Sequence, residues 1–344
     1  MKAAMFLGPE DVQLQEVALP PLGPGAVRAR VDVALTCGTD RKMYLRGHPL
    51  FEPPFIFGHE FAGTVTEVGA GVERFRPGMR VVAANSAPCG ACFYCMRGAP
   101  SMCEALFIRL SGAFAEYIDV PAPIVEKNLL IVPEGVASRD AALVEPLACV
   151  VHGIERSGLR LGDTVVVNGA GPIGLLFVRL AARKAGRVLV TDVRDDRLER
   201  AMRLGADDAL NVADLDDPAA AVRERTNGGR GADVAIEAVG LPQTWEATVR
   251  MVRKGGVANL FGGCPSGTRI TVDASTIHYD EVQIRGVFHH TPRHVRAALD
   301  LIAGGAVTGD DLITGELPLD RLDDILAALV GHDGIKTAVL PQGR

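Results

Sequence analysis

Four of the seven cysteines crowd into one stretch, C-G-A-C-F-Y-C-M-R-G-A-P-S-M-C, at Cys89, Cys92, Cys95 and Cys103. Overlapping CxxC pairs bring several thiolates to one tetrahedral ion, and Gly90, Gly98 and Pro100 make the stretch a turn-rich lobe. Four thiolates fill a tetrahedral zinc and leave no position for a substrate, so the expectation for residues 89–103 is a structural zinc. Disulfides fit less well. The N-terminal M-K-A-A-M-F-L-G-P-E lacks a secretory pattern, and the expected compartment is the cytoplasm, where thiols stay reduced. A redox pair lacks its thioredoxin-like βαβ surroundings. The chemistry must be sought elsewhere.

A second grouping lies in N-G-A-G-P-I-G-L-L, where Gly169, Gly171 and Gly174 make the pattern GxGxxG. The apolar run D-T-V-V-V-N precedes it, a helix containing Ile173, Phe177 and Leu180 follows, and Asp192 closes the next apolar run. Gly169 allows the tight turn, Gly171 lets the backbone approach a pyrophosphate, and Gly174 lets helix and strand pack closely. The helix start, at Pro172 and Ile173, offers free N–H groups to an anion. Asp192 can accept from a ribose 2′-hydroxyl but repels a 2′-phosphate, so the expected cofactor is NAD rather than NADP. Arg194 and Arg197 follow and soften that preference. Val239, Phe261 and Phe288, at the ends of later apolar runs, join the expected cofactor-contacting set.

Two further thiols and several histidines remain. L-T-C-G-T-D carries Cys37, Thr39 and Asp40, F-G-H-E-F-A-G carries His59 and Glu60, and L-V-E-P-L-A-C carries Glu145. Singly each is unremarkable. In this order, with the four-cysteine lobe and the later dinucleotide motif, they resemble the zinc-containing medium-chain dehydrogenase/reductases over essentially the whole chain. Glu145-Pro146-Leu147 is similar to the sorbitol and threonine dehydrogenase branch.

That resemblance implies a catalytic zinc held by Cys37, His59 and a carboxylate, with one position open; of Glu60 and Glu145, one is expected to bind directly and the other through water or in exchange with it. Successive side chains of an extended segment point oppositely, so His59 and Glu60 both ligate only if the backbone turns there. Asp40 is the natural partner for the ligating imidazole. The implied reaction is hydride transfer from an alcohol to NAD beside a Lewis-acidic zinc, with Thr39 relaying the hydroxyl proton. Many relatives carry a histidine where this chain has Lys42, which stays protonated near neutral pH and suits cofactor phosphates better than proton acceptance. The polyol branch often carries a tyrosine at the position of Met43 and an Arg-Tyr pair at that of His289-His290. Met43, Phe57 and His289 are therefore the candidate substrate residues, for a secondary alcohol such as a polyol, cyclitol, vicinal diol or hydroxy amino acid. A nucleotide-binding sensor that kept the fold and lost the chemistry would not need an open metal site, and a zinc-free quinone reductase would need neither metal set.

The elements that must position these groups divide the chain of 344 residues. Residues 1–152 hold short β-branched runs separated by Gly and Pro, the texture of an irregular β domain, GroES-like by resemblance. Residues 153–290 alternate strand and helix, a Rossmann doubly wound parallel sheet, so the fold class is α/β. Helical patterning continues from Q-T-W-E-A-T-V-R-M to V-R-K-G-G. Residues 291–344 read as helical and pack back on the first domain. A net charge of −6 argues against nucleic-acid or anionic-membrane partners, and no apolar run approaches the roughly 18 residues of a membrane span. The expected partner is a small alcohol. A homotetramer, or a homodimer, is expected through the open edge of the parallel sheet.

Overall fold

The run V-R-A-R-V-D-V-A-L forms the strand Val27–Leu35, buried at all but two positions. It lies between antiparallel neighbours Glu60–Val68 and Lys336–Leu340 and also pairs with Tyr117–Val120. Register shifts between Arg28 and Ala29 and between Val31 and Val33 bend it. The seven-stranded sheet continues outward through Arg80–Ala83 to Leu129–Ile131 on one side and to Ile313–Pro318 on the other. Phe6, Phe57, Phe61, Phe114, Leu129 and Ile325 fill its core. In the computed structural model, which describes residues 1–48, 51–108, 110–331 and 334–343, this is one unit, Met1–Ala148 with His290–Arg344. His332 lies outside the described residues.

The other unit, Cys149–His289, is a six-stranded sheet with every neighbouring pair parallel. Its order is Asp208–Asn211, Arg187–Asp192, Thr164–Asn168, Ala232–Glu237, Val252–Leu260, Gln283–Gly286. Thr164–Asn168 is buried at every position, as a central strand covered on both faces must be. The strand order reverses between it and Ala232–Glu237, the crevice where doubly wound sheets bind ligands.

Two readings of the sequence are corrected. The C-terminal segment is not helical throughout: besides Pro292–Ala303 and Leu322–Gly331 it supplies the strands Ile313–Pro318 and Lys336–Leu340. K-T-A-V-L is a short buried strand after a helix, and periodicity over five residues does not reveal it. The helix Pro242–Met251 also ends before V-R-K-G-G. Val252 turns to φ −85°, ψ 153°, and Gly255, at φ +68°, is part of a bulged strand start, whose pairing shifts between Ala232 and Val234. Among the described residues no helix is long and apolar enough to cross a membrane.

Candidate functional site

Cys37 is the N-cap of the helix Gly38–Arg46, in extended conformation at φ −133°, ψ 154°. The Thr39 N–H points at its sulfur at 3.5 Å, and the Cys37 N–H donates to Asp40 Oδ2 at 2.8 Å. A helix N-terminus favours a thiolate, although burial and the Glu60 charge push this thiol up against the pull of His59 and Lys336. Asp40 turns its other oxygen to His59 Nδ1, 2.9 Å away. That fixes the imidazole and leaves Nε2 for a ligand or proton. Burial opposes a charge on His59, but Asp40 and then Cys37 lift its pKa well above the ordinary imidazole value.

The backbone does turn before His59. Gly58 sits at φ +81°, where a Cβ would lie 2.4 Å from the Phe114 ring, and the regular strand starts only at Glu60. Ligand atoms of Cys37, His59 and Glu60 thus all lie within 4.8 Å of one another. Glu60 Oε2 meets Lys336 Nζ at 2.5 Å, while its Oε1 is buried with no hydrogen-bond partner. A half-buried thiol, a buried imidazole and a buried carboxylate with an orphaned oxygen form a donor set that fits zinc.

Lys336 escaped the sequence reading. Its ammonium is buried, donates to Thr36 O at 2.8 Å as well as to Glu60, and is held protonated against burial by Glu60 and Cys37. The available signal was a lysine inside K-T-A-V-L, where a strand reading would bury it.

Glu145, in the first turn of Val144–Ser157, stands outside the Cys37–His59–Glu60 set. Burial pushes its carboxyl up to about 7, with His59 and Lys336 opposing and Glu60 and Asp40 assisting. Its Oε1 is 3.8 Å from His290 Nε2, which also approaches Asn85 Oδ1 at 3.3 Å. Thr39 and Lys42 are exposed on the Cys37 helix.

Of the candidate substrate residues Met43, Phe57 and His289, two lie in the core. Met43 and Phe57 are buried in the hydrophobic core, Phe57 stacked on Phe6 and edge-on to Phe114. Helical spacing on Gly38–Arg46 turns Met43 inward. His289 is half-buried at φ +61°, its ring stacked on Phe288 and its carbonyl accepting from His152 Nδ1.

In the lobe, the four sulfurs lie within the same 4.8 Å limit and none is in a disulfide. The Cys89 N–H points at Cys103 Sγ (3.3 Å) and the Ala91 N–H at Cys89 Sγ (3.4 Å). N–H groups of Cys95 and Glu104 pull Cys92 down to about 6, whereas burial pushes Cys95 up to about 12. Such a crowd of thiols, aimed at by backbone donors, fits a structural zinc.

The dinucleotide motif sits at the reversal of strand order. Gly169 has φ +107°, and a Cβ there would lie 2.6 Å from Val239 Cγ2. A Cβ on Gly174 would meet Gly169 O at 1.7 Å, whereas one on Gly171, the N-cap of Pro172–Ala181, would meet nothing within 4 Å. Ile173 follows Pro172 in the first turn of that helix. The backbone is therefore open at Gly171, where an anion must approach. Asp192 accepts from Ala170 N–H through Oδ2 (2.7 Å) and from Val193 and Arg194 N–H through Oδ1 (2.8 and 3.1 Å). Arg194 is tied to Asp196 at 2.7 Å, and Arg197 Nε is buried without a hydrogen-bond partner. Phe261 packs edge-on to Phe177, and Val239 and Phe288 are exposed at strand ends.

Comparison with known proteins agrees with this geometry. Residues 23–133 match the alcohol dehydrogenase GroES-like domain and residues 172–304 the zinc-binding dehydrogenase family. The chain is 34% identical to the erythritol/L-threitol dehydrogenase of Mycolicibacterium smegmatis, covering 99% of this chain and 98% of that protein. It is 30% identical to the sorbitol dehydrogenase of Bacillus subtilis, over 99% and 97%. A protein from Sinorhizobium meliloti described as a zinc-binding dehydrogenase, solved bound to NADP, superposes with a TM-score of 0.89 at 31% identity over 99% of both chains. By its sequence, its two-part α/β fold and its metal-binding donor sets, the chain belongs to the zinc-containing medium-chain dehydrogenase/reductase (alcohol dehydrogenase) superfamily, among sorbitol- and threonine-dehydrogenase-like relatives.

Proposed function

We propose that this enzyme oxidises a secondary alcohol bearing a neighbouring polar group, a polyol, cyclitol, vicinal diol or hydroxy amino acid, to the ketone, with NAD as hydride acceptor. The observation that carries this reading is the close Cys37–His59–Glu60 set with its orphaned, buried Glu60 oxygen. Zinc bound there supplies Lewis acidity at the substrate oxygen. Lys336 neutralises Glu60, and Asp40 orients His59, so the chain offers the metal a fixed and electrically balanced site. The Thr39 hydroxyl, two residues from Cys37 and exposed, takes the substrate proton and gives up its own to water; Lys42, exposed on the same helix, steers phosphate. Glu145, outside the set and with a raised pKa, is the exchangeable carboxylate and not the resident ligand.

The NAD preference rests on the Asp192 carboxylate at the end of its strand, with Arg194 held by Asp196 and so less able to offset it. The substrate class is supported by relatives whose names specify sugar alcohols. The reading includes a cytoplasmic homotetramer associating through the open edge strand Gln283–Gly286.

The test is a panel of polyols, cyclitols, diols and amino-acid alcohols, each assayed with NAD and NADP before and after zinc removal. Zinc-dependent reduction of NAD by at least one class is expected. Protein that binds zinc and NAD yet turns over none of them would be a binding module, and the reading would fail.

A further inference from the structure

The charged side chain at the end of Ala232–Glu237 has no role in the chemistry described so far, yet it is fully buried. Glu237 Oε1 accepts from the N–H groups of Val239 (3.0 Å) and Gly240 (2.8 Å) and from Thr244 Oγ1 (2.6 Å). Oε2 accepts from Gly262 N–H at 3.1 Å, and the Glu237 carbonyl accepts from Phe261 and Gly262. One carboxylate thus joins the loop after its own strand to the turn after Val252–Leu260. Burial raises its pKa against those donors, so an isolated buried carboxyl is kept where an apolar residue would be less costly.

The joint is tight. A Cβ on Gly262 would lie 2.4 Å from Gly240 N and 2.5 Å from Glu237 Oε2, and one on Gly240 would lie 2.7 Å from Gly263 O. Trp245 Nε1 closes the far side on Gly262 O at 2.8 Å. The loop also abuts the glycine-rich turn, through Val239 Cγ2 at Gly169 and the Ala238 N–H on Asn168 O. In a doubly wound sheet each half serves one half of the dinucleotide. Asp192 marks the adenosine half, and the loops that Glu237 joins belong to the other.

We infer that Glu237 is a positioning residue for the nicotinamide half of the dinucleotide site: its carboxylate sets the loop carrying Val239 against the turn carrying Phe261 and Gly262. This rests on the reading of the second unit as an NAD site.

The test compares wild type with Glu237→Gln, Glu237→Ala and the near-isosteric Thr244→Val, using NADH and ADP-ribose as separate ligands. ADP-ribose carries the adenosine, both phosphates and the second ribose but no nicotinamide. Losing a hydrogen bond to a charged group predicts NADH affinity down about tenfold or more for Glu237→Ala. Glu237→Gln, which keeps a carbonyl oxygen, should fall between it and wild type, and Thr244→Val should move in the same direction. ADP-ribose affinity should change by less than about threefold in all three. In turnover the change should appear in KM for NAD ahead of kcat. Equal losses for both ligands would mean a general folding role and overturn the inference, as would unchanged NADH affinity in variants that melt like wild type. Should Glu237→Ala fail to fold, Thr244→Val decides by the same split. Wild-type protein that takes up neither ligand would instead overturn the dinucleotide reading itself.

Discussion

Lys336 Nζ lies 2.5 Å from Glu60 Oε2, both side chains buried, across 276 residues of chain. The pair joins the C-terminal strand to the carboxylate of the proposed metal set. Removing one member of a buried ion pair strands the other charge. Lys336→Met should therefore destabilise the protein by about 3–5 kcal/mol, and adding Glu60→Gln should restore much of that. Urea denaturation of both singles and the double checks it; additive losses would show that the two groups are energetically independent.

Metal content should separate the Cys37 set from the four-cysteine lobe. Glu60→Gln or Cys37→Ser should lose one zinc while keeping the lobe metal, and Cys95→Ser should do the reverse and lose stability. Glu145→Gln should keep both, because Glu145 lies outside the Cys37–His59–Glu60 group and outside the lobe. Elemental analysis after dialysis against a mild chelator reads this directly, and zinc loss from Glu145→Gln equal to that from Glu60→Gln would reassign the ligand.

Cofactor choice should respond to Asp192. Asp192→Asn removes the charge that repels a 2′-phosphate while keeping an oxygen for the Ala170 N–H. The ratio of kcat/KM for NAD over NADP should fall about 10- to 100-fold, the worth of a hydrogen bond to a charged group. Initial rates with both cofactors measure it.

Acid should act on the second unit through Asp233. Burial alone would raise its pKa, but the Thr164 N–H, Arg253 and Asn227 bind its carboxylate and hold it below the usual range. A carboxylate with a depressed folded pKa stabilises above its unfolded value near 3.9 and loses that contribution as pH falls through the folded value. Asp233→Asn should thus be less stable than wild type at pH 7, with the gap closing below about pH 4. Denaturant midpoints across that range would show it, and a gap independent of pH would assign the effect to shape alone.

The four lobe cysteines, the Cys37 and His59 pair and the glycine-rich turn were legible because their chemistry is written in local spacing. So was the alternation that yields the parallel sheet. That Met43 and Phe57 pack in the hydrophobic core could not be read from the sequence, because apolar side chains line pockets and cores alike. The strands Ile313–Pro318 and Lys336–Leu340 were missed because a strand of five or six residues needs a neighbour to exist.

The sequence by itself determined which residue types can hold metal and dinucleotide, since thiol, imidazole and glycine chemistry travels with the residue. Tertiary structure alone brought the Glu60 carboxylate beside Cys37 and His59, by turning the backbone at Gly58, and set Lys336 against it from the far end of the chain. It also joined the loops at Glu237 through one buried carboxylate. Charge compensation and hydrogen bonding act through distance in space, and separation along the chain carries little information about that distance.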